Sequence, residues 1–219
     1  MKRNRLGRSS IVVSDICMGT MTFGNQADEK TSFRIMDMAY EAGVDFYDNA
    51  EMYPVPHDAK YVGATEEIVG RWMKTKPRDA LIIASKVAGP GHGWITPPLR
   101  GGKTGLDRHH IVAAVEASLK RLGTDYVDVY HLHAVILEDY ERLLDEIVPT
   151  LQRLRDQGVI RSIGISERFG HDPQHAMLQR ALRDDVWDVM MVGFNILNQS
   201  ARERVFAGAM EQDIGILVM

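Results

Sequence analysis

Short apolar runs alternate with longer amphipathic stretches along nearly the whole chain. The apolar runs fall at 15–19, 44–48, 81–86, 127–133, 161–166, 189–194 and 214–219, each the length of a strand. Between them, apolar residues recur at helical spacing in 28–42, 65–74, 108–122, 140–157, 173–183 and 199–212. Gly43, Gly123 and Gly158 follow three of these stretches, where a left-handed cap ends a helix. Ahead of the first run, 5–12 holds a glycine turn and predicts a hairpin.

Repeated strand–helix alternation predicts a parallel sheet, either open and doubly wound or closed into a barrel. A doubly wound sheet concentrates its signal at one Gly-rich turn, and no G-x-G-x-x-G follows any of these strands. The chemistry-bearing residues instead end several different strands, which a barrel brings together on one face. Ser162, Gly164 and Ser166 share one side of their strand and suit a crowded interior. The expectation is an α/β fold, a (β/α)8 TIM barrel in a single domain over 1–219, with seven strand–helix units counted. A barrel open at one seam would expose two strand edges, so the sequence is expected to lack its C-terminal part.

Composition changes this picture little. The 219 residues are 45% apolar and 26% charged, with a net charge of −4. The cations are scattered, so no nucleic-acid footprint appears. The basic start leads into no apolar segment of signal-peptide or membrane length. Cys17 is the only cysteine; an internal disulfide is excluded, and a cytoplasmic protein without a membrane partner is expected. Cys17 itself reads as a small core residue.

Four residues carry the candidate chemistry: Asp48, Tyr53, Lys86 and His133. Lys86 lies on the strand face shared by Ile82 and Ala84, so an interior ammonium needs a carboxylate beside it. Asp48 has the matching parity on the preceding strand, and Tyr53 follows it in a loop. At an effective dielectric near 20, unit charges about 4 Å apart interact by roughly 4 kcal/mol. Desolvation opposes this, so a modest lowering of the phenol's pKa is expected, which suits a general acid. His133 ends the fourth strand, where an imidazole can orient a carbonyl oxygen. His131 lies two residues deeper and reads as a satisfied core histidine.

The His131-x-His133 spacing also occurs in metal sites, which raises a metal-dependent barrel hydrolase as the rival reading. Later strands end in Ser166, Met191 and Met219, poor ligands for a hard or borderline cation, so no metal is expected. The irregular stretch 89–105 follows the strand of Lys86, and Trp94 within it is a candidate wall of a substrate pocket.

The segments Met18-Gly19-Thr20-Met21-Thr22-Phe23-Gly24, Asp48-Asn49-Ala50-Glu51-Met52-Tyr53, Ala84-Ser85-Lys86, Tyr130-His131-Leu132-His133 and Ile163-Gly164-Ile165-Ser166 together resemble the aldo/keto reductase family. The resemblance implies an eight-stranded barrel that binds NADP(H), or else NAD(H), and reduces an aldehyde or ketone to an alcohol, or the reverse. It implies Tyr53 as proton donor, Lys86 and Asp48 as its tuning partners, and His133 as the group orienting the carbonyl. It also places Gly19, Thr20, Met21, Asp48, Ser166, Glu167, Met191 and Met219 at cofactor-contacting positions. Three of these depart from the family pattern: Glu167 stands for Asn, Met191 for Gln, and Met219 for the aromatic that stacks on the nicotinamide. They motivate a second reading, a cofactor-binding or scaffolding barrel with little turnover. The segment that reads the adenosine 2′-phosphate is expected beyond residue 219, and a small or moderately apolar carbonyl compound is the expected substrate.

Overall fold

The chain opens with an antiparallel hairpin, β1 (Arg3–Arg5) paired with β2 (Val12–Ser14). Seven parallel strands follow and pair in chain order: β3 (Cys17–Gly19), β4 (Phe46–Asp48), β5 (Ile82–Ala88), β6 (Val127–Val135), β7 (Ile160–Glu167), β8 (Val189–Val192) and β9 (Gly215–Val218). The helices are α1 (Glu29–Glu41), α2 (Ala64–Met73), α3 (Arg108–Leu122), α4 (Leu137–Glu146), α5 (Val148–Asp156), α6 (Ala176–Ala181) and α7 (Ala207–Glu211). This computed structural model describes residues 1–89 and 106–219.

Strand alternation sorts the side chains into two cores. Tyr47, Ile83, Tyr130, Ile163 and Met190 point outward and pack with Met36, Trp72, Ile111, Leu151 and Leu178 of the helices. Phe46, Ile82, Ala84, Val129 and Val189 point inward and form one cluster with Leu6, Ile11 and Val13 of the hairpin segment. Cys17 of β3 and Leu217 of β9, from the two ends of the strand order, pack on that same cluster. The sheet is therefore curled into a nearly closed seven-stranded barrel. Cys17 takes its place in that interior, as expected of a small core residue.

Carboxylates fix the register at the strand starts. Asp128 Oδ2 accepts from Ile83 N at 2.9 Å, and Asp188 Oδ2 accepts from Ile163 N at 2.8 Å. Each side chain thus supplies an acceptor to the neighbouring strand, with arginines balancing its charge: Arg78 and Arg161 on Asp128, Arg155 on Asp188.

Three helices differ from expectation, the last being 199–212, which opens with a π-helical turn at Arg202–Phe206 before α7. The stretch 140–157 is not one helix but α4 and α5, parted at Ile147. Pro149 is the cause: it has no N–H to donate, and its ring would crowd the carbonyl four residues back in a continuous helix, so it sits at the start of α5 instead. The stretch 173–183 shortens to α6, because His175 enters at φ 59° and sets a left-handed start. Gly123 ends α3 as its spacing predicts, at φ 67° with its N–H on Leu119 O.

The small residues of β7 face the interior. A Cβ on Gly164 would lie 2.2 Å from His131 Nδ1, so the fully buried imidazole or the strand would have to shift. Gly164→Ala is expected to cost about 1–3 kcal/mol through overpacking, read as a fall in the thermal midpoint of several degrees. An unchanged midpoint would show that the interior can relax around His131.

Candidate active site

The C-terminal ends of β4, β5 and β6 bring Asp48, Lys86 and His133 together. Register places Gly19 beside Asp48, Asp48 beside Ala84, Lys86 beside His131, and Ala88 beside His133. Tyr53 reaches the group from the loop after β4, where Tyr53 N bonds Ala50 O at 3.1 Å and closes a turn.

Lys86 is the hub. Its fully buried Nζ donates to Asp48 Oδ2 at 2.5 Å, Asn49 O at 2.7 Å and Tyr53 Oη at 3.2 Å. Three acceptors around three ammonium N–H groups match the charged form. Burial works against the ammonium, but Asp48 and the phenol outweigh it and raise the Lys86 pKa. Asp48's carboxyl is raised by burial, with Lys86 pulling the other way. Because Tyr53 Oη accepts from Lys86, its own proton is free to point elsewhere. The His133 and Tyr53 rings meet nearly perpendicular, at 85°, with centroids 5.9 Å apart.

The expected lowering of the phenol's pKa does not occur. Burial raises it, and the pull of Lys86 is the smaller effect, with Asp48 adding to the rise. Tyr53 is buried, and a phenolate there loses more hydration than one ammonium returns. The phenol therefore stays protonated through neutral pH.

His131 is a fully buried core histidine, with the backbone of Ile165 as its polar neighbour. Burial, then the charge of Lys86, lowers its pKa to about 3. It is neutral beneath the ammonium. Among the described residues, no group of three or more His, Cys, Asp and Glu side chains is arranged to hold a metal ion. Trp94 and most of the stretch 89–105 lie outside the described residues.

The remaining expected positions line the same end of the barrel. Gly19 is exposed, with open space where a Cβ would be. Thr20 is buried, its hydroxyl within 2.8 Å of both Asp48 O and Asn49 Oδ1. Met21 and Met219 are exposed, whereas Met191 is buried beside Ser166 on β7 and Leu217 on β9. Among the described residues, Ser166 Oγ is held by long contacts of 3.4 Å to Ala134 N and Glu167 O. Asp48 Oδ1 is buried without a hydrogen-bond partner among the described residues. A polar hydroxyl of a bound molecule would fit that oxygen, and the open space above Gly19 admits close approach.

Glu167 has protein partners of its own. Its carboxylate accepts from Gly193 N at 2.7 Å, and both oxygens lie 2.9 Å from His175 Nδ1. His175 Nε2 lies 2.9 Å from Ser200 Oγ. The buried Glu167–His175 pair thus ties the β7 loop to the end of β8 and to the loop before α7. Burial raises the Glu167 carboxyl, while Gly193 N–H and His175 oppose the rise. Sequence reading missed His175 and Ser200, since no local spacing links 167, 175 and 200. It also gave no role to Glu51, which is buried in the Tyr53 loop and accepts from Ala88 N at 2.6 Å.

A family model described as "Aldo/keto reductase family" matches residues 15–219. The uncharacterized oxidoreductase YrpG of Bacillus subtilis is 32% identical over 222 residues, covering 99% of this chain and 65% of that protein. Aldo-keto reductase AFTS1 of Alternaria alternata is 33% identical over 208 residues, covering 84% of this chain and 54% of its own length. The solved holo form of the aldo-keto reductase AKR11C1 from Bacillus halodurans superposes with a TM-score of 0.80 at 31% identity, over 100% of this chain and 65% of that one. The chain thus spans less than two thirds of the length of these relatives. No helix among the described residues is long and apolar enough to cross a membrane.

Proposed function

We propose, from the premise that this chain belongs to the aldo/keto reductase family of oxidoreductases, that it interconverts a small carbonyl compound and its alcohol with NADP(H), NAD(H) being the alternative. One observation carries the reading: Lys86 Nζ joins Asp48 Oδ2 and Tyr53 Oη in a buried cluster in which the phenol oxygen accepts from the ammonium and keeps its own proton to give. That is an acid poised for a carbonyl oxygen.

Asp48, Gly19, Thr20, Met21, Ser166, Met191 and Met219 would hold the cofactor, with Asp48 Oδ1 and Ser166 Oγ as side-chain polar anchors. Met191 and Met219 offer polarizable contact but no strong hydrogen bond, and the Glu167 carboxylate is already engaged. When bound, the nicotinamide supplies the hydride. The protein's part is proton and charge. His133 orients the carbonyl oxygen beside Tyr53, the phenol gives its proton as negative charge develops there, and Lys86 stabilises the oxygen that Tyr53 leaves charged. In the reverse direction the same phenol oxygen takes the alcohol proton.

The test is turnover of simple aldehydes followed by NADPH and NADH absorbance, with protein fluorescence reporting cofactor binding. Turnover abolished by omitting the cofactor supports the reading. Binding without turnover points to the scaffolding barrel, and neither binding nor turnover overturns both.

A further inference from the structure

The chain leaves β4 by continuing its parallel ladder with β5 for one more step. Asn49 N bonds Ala84 O at 2.9 Å, and Glu51 N bonds Lys86 O at 3.2 Å. In a parallel ladder the next amide of β5, Ala88 N, would then be met by the carbonyl of residue 51. It is met instead by the Glu51 side chain, whose Oε1 lies 2.6 Å away. The backbone has already turned, because Tyr53 N bonds Ala50 O. The carboxylate thus takes over the ladder's last bond so that the chain can bend sharply and carry Tyr53 over Lys86.

We propose that Glu51 is the positioning residue that holds the Tyr53 phenol on Lys86, acting through the reach of its side chain rather than through its charge; this rests on the proposed role of Tyr53. Glu51 is 3% exposed and touches none of the reacting groups through this bond. The loop it anchors is fastened at its other end by Gly63 N on Tyr53 O at 3.0 Å. Among the described residues, the charged and titratable groups facing the phenol are Lys86, Asp48 and His133, and Arg121 is a cation that interacts with the Glu51 carboxylate. A small withdrawal of the loop separates Tyr53 Oη from Lys86 Nζ, whose 3.2 Å contact has little length to spare.

Two variants separate reach from charge. Glu51→Gln keeps an oxygen at the same distance from Ala88 N and removes the charge. Glu51→Asp keeps the charge and draws the oxygen back by one methylene. The readout is the ultraviolet titration of Tyr53, taken as the difference between each protein and its Tyr53→Phe counterpart, beside kcat and cofactor affinity. For Glu51→Asp the phenol is expected to titrate at higher pH, with kcat lower by about 10- to 100-fold and cofactor affinity unchanged. Glu51→Gln is expected to follow the parent in all three. A Glu51→Asp protein that loses thermal stability alone, with titration and kcat unmoved, overturns the proposal, as does a Glu51→Gln protein that shifts as far as Glu51→Asp. Should Glu51→Asp not fold, Glu51→Ala takes its place: a shifted titration beside a parental Glu51→Gln sustains the role of reach, and an unshifted one overturns it. The titration needs no turnover, so it judges Glu51 even if the parent reduces no carbonyl.

Discussion

Tyr53→Phe is expected to lower carbonyl reduction by about 10²–10⁴-fold, the usual contribution of a positioned general acid, while cofactor affinity stays within a few fold. The substitution removes one oxygen and keeps the ring that meets His133. Lys86 retains Asp48 and Asn49 O as acceptors, so the buried cluster stays assembled. Stability should change by about 1 kcal/mol, the typical worth of one hydrogen bond. Because the phenol's pKa is raised, the parent should keep its acid through neutral pH and lose reductive activity only in alkali. The checks are kcat and kcat/KM against pH, with fluorescence titration of the cofactor. Turnover retained in Tyr53→Phe would remove the proton-donor role altogether.

The architecture was legible because it rests on period and parity, which single residues display. Inward and outward positions of β4 to β8 follow alternation, and the same alternation put Asp48 and Lys86 on one face before any distance was known. What alternation cannot convey is the balance of opposing effects at one atom. The sign of the Tyr53 shift depended on how completely the loop buries the phenol, and sequence fixes neither the loop's path nor its depth. Long-range side-chain pairing was equally hidden. Glu167 stood out as a departure from the family pattern, but its partners His175 and Gly193 lie 8 and 26 residues away. The break between α4 and α5 is different in kind, since Pro149 is visible in the sequence and interrupts the helix despite the apolar spacing around it.

Lys86→Met carries the largest expected loss of stability, and its pH dependence separates charge from packing. Methionine fills much of the same space, so the cavity is small. The variant leaves the Asp48 carboxylate buried with no cation, when Oδ1 already lacks a partner among the described residues. Asn49 O loses a donor as well. Breaking a buried pair in this way costs about 3–5 kcal/mol, or roughly 6–20 °C in thermal midpoint for a chain of this size. Without the ammonium, burial alone acts on Asp48 and drives its folded pKa further above the unfolded value near 4. A group whose folded pKa is raised is harmless below the unfolded pKa and costs stability as pH rises toward the folded one. The deficit of Lys86→Met relative to the parent should therefore be smallest near pH 4 and grow toward neutrality. Adding Asp48→Asn removes the stranded charge and should recover much of the midpoint at pH 7 without restoring turnover, since the phenol still lacks Lys86. A deficit that is the same at pH 4 and pH 7, with no recovery in the double variant, would mean that Lys86 matters to folding for its shape and not for its charge.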